Sequence, residues 1–187
     1  NIEQAQHPPL LALQLAIQSY RLKGFAKAWS YLKPLSIQHG EVRAVLKWSI
    51  KTLHALQRDE EAKRLSQRYL RLGPPQCDAL DIVYGPLGET SSNIEHIIDS
   101  DLRCNRLDNA VEKALRWRRL DTASGMLKRL GQSKRDQLLR ARILSALNRI
   151  SQARQILRTI DPVKHLDLDL NDPSDASALY EKVLPGL

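Results

Sequence analysis

Apolar residues recur at intervals of three and four along nearly the whole of this 187-residue chain. That period belongs to an α-helix with one buried face; a half-buried strand would alternate every second residue. Leu10, Leu13, Ala16, Ile17 and Tyr20 make the first such stripe, and Phe25, Ala28, Trp29, Leu32 and Leu35 the second. Val42 through Leu56 and Ala62 through Leu72 follow in the same pattern. It resumes at Ile94, Ala110, Ala123, Leu139 and Ala153. Most of the Gly and Pro lies in clusters between the stripes: Pro8-Pro9, Gly73-Pro74-Pro75, Gly85-Pro86 with Gly88, and Asp172-Pro173. They punctuate the helices rather than break them. The intervening turns are short enough to demand antiparallel helix hairpins. The fold class is therefore all-α.

Small residues mark the hairpins. Gly24-Phe25-Ala26-Lys27-Ala28 and Arg58-Asp59-Glu60-Glu61-Ala62 both set alanine in the first turn of a second helix, where two helices approach closely. These alanines are 34 residues apart, a helical-repeat period. With Tyr20, Gly24, Ala28, Leu32 and Leu35 in one copy, and Leu46, Ile50, Leu53, Ala62, Tyr69 and Pro74 in the next, the chain resembles the tetratricopeptide-repeat superfamily. The family's large–Gly–aromatic signature in the first helix is missing. After residue 93 a basic–aliphatic–cap–spacer–Ala word recurs at Arg106–Ala110, Arg119–Ala123 and Arg149–Ala153, without the period. Asp108, Asp121 and Ser151 are read there as N-caps. Residues 1–75 are thus assigned to hairpins and 76–93 to a connecting segment and loop. Degenerate hairpins follow over 94–162, and 163–187 form an acidic, partly extended tail with a short terminal helix. The resemblance implies a right-handed superhelix of stacked hairpins.

Specific chemistry is sparse. His7, His39, His54, His96 and His165 lack ligand partners at recognised spacing, so no metal is expected. His96 and Cys104 could share a helix face, but two ligands make no site. Nucleophile elbows, phosphate loops and dinucleotide fingerprints are lacking, and the expectation is a protein that is not an enzyme and needs no cofactor. Asp167-Leu168-Asp169-Leu170-Asn171-Asp172 imitates the start of a calcium loop but fails at the glycine and closing-carboxylate positions. Alternation of Leu166, Leu168 and Leu170 reads better as an extended segment. Cys77 and Cys104 make no disulfide framework, which points to a reducing compartment or to indifference about redox state, and Cys104 reads as a small half-buried hydrophobe. No run reaches the length of a membrane span. No signal peptide is visible and the expected location is cytoplasmic; the start without Met is the ground for the alternatives, a removed leader or a larger parent protein.

Charge is uneven. The chain carries 29 Lys and Arg against 21 Asp and Glu, a net +8. Residues 1–102 hold 12 basic and 11 acidic groups, 103–164 hold 16 and 5, and 165–187 hold 1 and 5. The basic segment could be a solvated face that contacts the tail, a surface for an acidic protein, or a nucleic-acid surface. Its lone aromatic, Trp117, argues against base stacking. The preferred reading is a protein-binding scaffold or chaperone-like adaptor, similar to small bacterial secretion adaptors, taking an acidic or amphipathic segment of a partner in a groove made by first helices. Groove candidates are Gln14, Gln18, Arg21, Lys47 and Lys51, with Arg116, Arg118, Arg140 and Arg142 in the second half. Charge reversal of Arg140 and Arg142 is expected to weaken capture and leave helicity unchanged. The alternative is a regulatory helical module of a nucleic-acid-binding assembly.

Overall fold

The computed structural model describes residues 8–160. The acidic tail, its leucine alternation and its terminal helix lie outside the described residues. Among those residues there are ten α-helices and no strand: α1 (Pro9–Arg21), α2 (Phe25–Gln38), α3 (Arg43–Ala55), α4 (Asp59–Arg71), α5 (Leu80–Tyr84), α6 (Ile94–Arg103), α7 (Leu107–Arg116), α8 (Leu120–Met126), α9 (Lys134–Ala146) and α10 (Ile150–Ile160). Two compact units divide between Cys104 and Asn105.

Five connections share one turn. Lys23, Gln57, Asn105, Arg118 and Asn148 have φ of 60°, 58°, 56°, 53° and 59°. Each lies in the left-handed conformation that ends a helix and frees the next residue to bond backward. The amide of Gly24 donates to the Ser19 carbonyl (2.9 Å), Arg58 to Leu53 (2.9 Å), Arg119 to Ala114 (2.8 Å) and Arg149 to Leu144 (2.8 Å). Five residues beyond each left-handed residue stands Ala28, Ala62, Ala110, Ala123 or Ala153, exposed by no more than 2%. Its amide opens the next helix by bonding to the carbonyl four positions earlier. Asp108, Asp121 and Ser151, expected as N-caps, instead occupy the second position of helices that start at Leu107, Leu120 and Ile150. The turn itself starts those helices. The two aspartates are left to complement the positive helix end.

In unit 1, α1 packs on α2, α2 on α3 and α3 on α4. Leu46, Ile50 and Leu53 of α3 meet Ala62 and Tyr69 of α4 in a core that Ala79 and Val83 complete. The segment expected as connection and loop thus adds to the core: a 3₁₀ turn at Cys77–Ala79 leads directly into α5. Ala12, Leu35 and Val45 form a smaller cluster where the start of α1, the end of α2 and the start of α3 converge. The expected α1 stripe holds at Ala16, which is fully buried, but at the start of the helix Ala12 is buried in place of Leu10, which is 70% exposed. Arg43 of α3 donates to the carbonyls of Leu72 and Pro74 and lies 5.5 Å from the Tyr69 ring centre, closing the C-terminus of α4. The chain leaves α4 through Gly73, whose φ of 113° suits glycine.

In unit 2, α7 packs on α8 and α9, and α9 on α10. Leu138, Ala141 and Leu144 face Ala153 and Leu157. Ser133 caps α9, accepting from the Asp136 amide at 3.1 Å. Its hydroxyl donates to the Asp136 carboxylate at 2.7 Å.

Candidate interaction surfaces

On α1, Gln14, Gln18 and Arg21 are exposed. Their spacing of four and three sets them on one side, opposite buried Ala12 and Ala16. On α3, Lys51 carries its ammonium 5.0 Å from the Tyr20 ring centre and 5.1 Å from that of Trp48. Tyr20 meets Trp48 edge-on at 5.6 Å and Phe25 at 5.1 Å. Lys51 thereby ties α3 to α1, and its aliphatic stem and charge are held by two rings. Lys47 is engaged elsewhere, with Nζ 2.6 Å from Asp78 Oδ2. That hydrogen bond, reinforced by the ammonium charge, holds the Asp78 carboxyl below its ordinary value of 3.8.

The second-half candidates separate into two kinds. Arg140 donates to the Leu130 carbonyl at 2.8 Å and so holds the α8–α9 connection. Arg142 pairs with Glu112 at 2.5 Å, its side chain only 20% exposed. Charge reversal of these two removes internal contacts, so it cannot serve as a neutral probe of partner capture. Arg118 is exposed at the left-handed turn position, and Arg116 is an exposed residue that ends α7.

Arg135 also pairs with Asp108. Asp108 and Glu112 on α7 therefore meet Arg135 and Arg142 on α9 in the same order, which runs the two helices parallel and brings their N-termini to one end. A cleft of about 620 Å³ opens there, lined by Arg106, Arg129 and Arg135 together with Asn105, Asp108 and Asp136.

Three features were not legible beforehand. Cys77 and Cys104 form a disulfide, with Cα atoms 5.4 Å apart. Expectations built on free thiols are thereby overturned: Cys104 is not a lone hydrophobe, it shares no ligand role with His96, and a reducing compartment has lost its basis. A shallow cleft of about 400 Å³ lies between α4, α5 and α6, lined by Tyr84, His96, Asp99 and Arg103 among others. In it Arg103 donates to Ser100 Oγ at 2.8 Å, and the Tyr84 hydroxyl lies 3.4 Å from the same oxygen. Finally, Leu10, Leu11, Ile37 and Val42 are exposed by 70, 42, 73 and 46%. They flank the Ala12–Leu35–Val45 cluster at one end of unit 1. The disulfide joins residues 27 apart, and Leu10 stands 27 residues from Ile37 and 32 from Val42.

No described helix is long and apolar enough to cross a membrane. No known protein-family profile matches the chain, and no curated protein aligns with it.

Proposed function

We propose that the protein is a non-catalytic, tetratricopeptide-like scaffold or adaptor whose first-helix face in unit 1 takes a peptide or helix of a partner protein. The observation that carries this reading is the Tyr20–Trp48–Lys51 cluster. It joins the first helices of two successive hairpins, α1 and α3, and presents a cation already fixed between rings. A group held before binding loses little side-chain entropy when a partner arrives. Gln14, Gln18 and Arg21 add polar recognition on α1. The exposed Leu10, Leu11, Ile37 and Val42 supply the apolar contacts that give a protein interface most of its affinity. The 34-residue separation of buried Ala28 and Ala62 and the shared turn geometry support the repeat reading. An acidic or amphipathic partner segment suits the face, and a chaperone or adaptor of a bacterial secretion machine is one form of this role.

Site-specific photo-crosslinking in the source cell tests it. Probes at Gln14 and Lys51 should yield one discrete protein adduct, and probes at the exposed Arg64 and Gln67 of α4 should not. Equal labelling from both helices would remove the first-helix face from the interface.

A further inference from the structure

Unit 2 differs from unit 1 in charge far more than in backbone. Residues 105–160 carry 14 Lys and Arg against 4 Asp and Glu, whereas residues 8–104 carry 13 against 10. Residues 161–187 of the same unit add 2 basic and 6 acidic residues, so unit 2 keeps a net charge of +6 overall, with only four of its ten carboxylates in 105–160. Two are paired inside the unit, Asp108 with Arg135 and Glu112 with Arg142, and Asp136 serves the cap of α9. Eleven of the fourteen cations are arginine, whose planar fork matches phosphate oxygens and is less hydrated than an ammonium.

The same surface is poor in what a protein partner needs. Of the large hydrophobic residues exposed in the described chain, only Leu120 lies in unit 2, at 37%. An interface without apolar or aromatic anchors gains little from a folded or amphipathic peptide. A phosphate polymer asks for no such anchor, because its binding is driven by release of condensed counterions. Among the described residues of unit 2 the single aromatic is Trp117, which is half-buried, so a single strand would find no stacking platform there. A duplex, with one phosphate per ~1.7 Å of axis, offers the densest row of charges for contacts of this kind.

From these observations we propose that unit 2 binds the backbone of duplex nucleic acid without reading its bases. Contact centres on the cleft where the N-termini of α7 and α9 converge. Arg129 lines that cleft, and Lys128 and Lys134 are exposed next to it in sequence. Among the described residues none of the three side chains makes a hydrogen bond or ion pair. They are the groups a phosphate row would meet first, while Arg135 is held by Asp108 and shapes the wall.

The test uses the full chain and fluorescence anisotropy on a duplex of about 24 base pairs, titrated in salt. Saturable binding at about 0.15 M salt, with little dependence on base sequence, is expected. The triple variant Lys128→Glu, Arg129→Glu, Lys134→Glu should bind at least ~10-fold more weakly, and its log–log salt slope should be shallower by about 2 to 3. A charge-matched control, Lys27→Glu, Lys33→Glu, Arg64→Glu, alters exposed positions of unit 1 and should bind nearly as the parent does. Circular dichroism should be the same for all three proteins. Several results would overturn the assignment: no saturable duplex binding, equal loss in both variants, or tighter binding to vesicles rich in phosphatidylglycerol or to poly-glutamate. An unchanged triple variant would do so as well.

Discussion

Lys47 shows how one residue can satisfy a sequence expectation and still act differently in the fold. Its place on the outer side of α3 reads as a groove cation, yet its ammonium is held by Asp78, 31 residues onward. The carboxyl of Asp78 is consequently depressed below 3.8, chiefly by that hydrogen bond. A carboxyl lowered in the folded state stabilises the fold above its ordinary value, and that contribution is lost as pH falls through the lowered one. Replacing Lys47 with Met should raise the Asp78 midpoint toward 3.8, read by carboxyl-carbon NMR, with neighbouring carboxyls unmoved. An unchanged midpoint would mean that the contact does not persist in solution. Arg142 and Arg140 follow the same logic: their partners, Glu112 and the Leu130 carbonyl, are 30 and 10 residues away. Spacing along one helix says nothing about pairs made across two.

At the level of elements, the alanines at 28, 62, 110, 123 and 153 were readable because close helix approach leaves a small residue no alternative. Helix starts were misplaced at Asp108, Asp121 and Ser151 because a left-handed turn, rather than a side-chain cap, begins those helices. Neither Gln57 nor Arg118 advertises that conformation as Gly or Asn would. The flanking prolines and glycines hide the short helix α5 in the sequence, although Leu80, Val83 and Tyr84 are buried in it. Its attachment is covalent as well as apolar, since the Cys77–Cys104 bond ties the 3₁₀ turn ahead of α5 to the end of α6. The bond spans 27 residues. Chain-entropy reasoning gives such a loop about 3.5 kcal/mol of stabilisation. Cys77→Ser with Cys104→Ser, or a reductant, should lower unfolding free energy by about that amount in urea titrations. A change under ~0.5 kcal/mol would show that α5 and α6 stay together without it.

Over the whole molecule, the uneven charge has a thermodynamic side. Like charges in unit 2 repel in the folded state, and added salt screens them. Raising ionic strength from about 0.02 to 0.3 M should therefore protect amides of α9 and α10 against hydrogen exchange more than those of α3 and α4. Uniform protection across both units would mean that the positive charge is already compensated in the folded protein.

The shared turn bears on how the chain is assembled from smaller pieces. Helix α7 begins after the turn at Asn105 and ends at the turn of Arg118, only 13 residues on. It is thus the second helix of one turn and the first helix of the next. Along α6, α7 and α8 the alternation of first and second helices is therefore not strict, as a grammar of separate hairpins would require. The smallest word this chain repeats is a turn followed by a helix, so it can gain or lose helices singly.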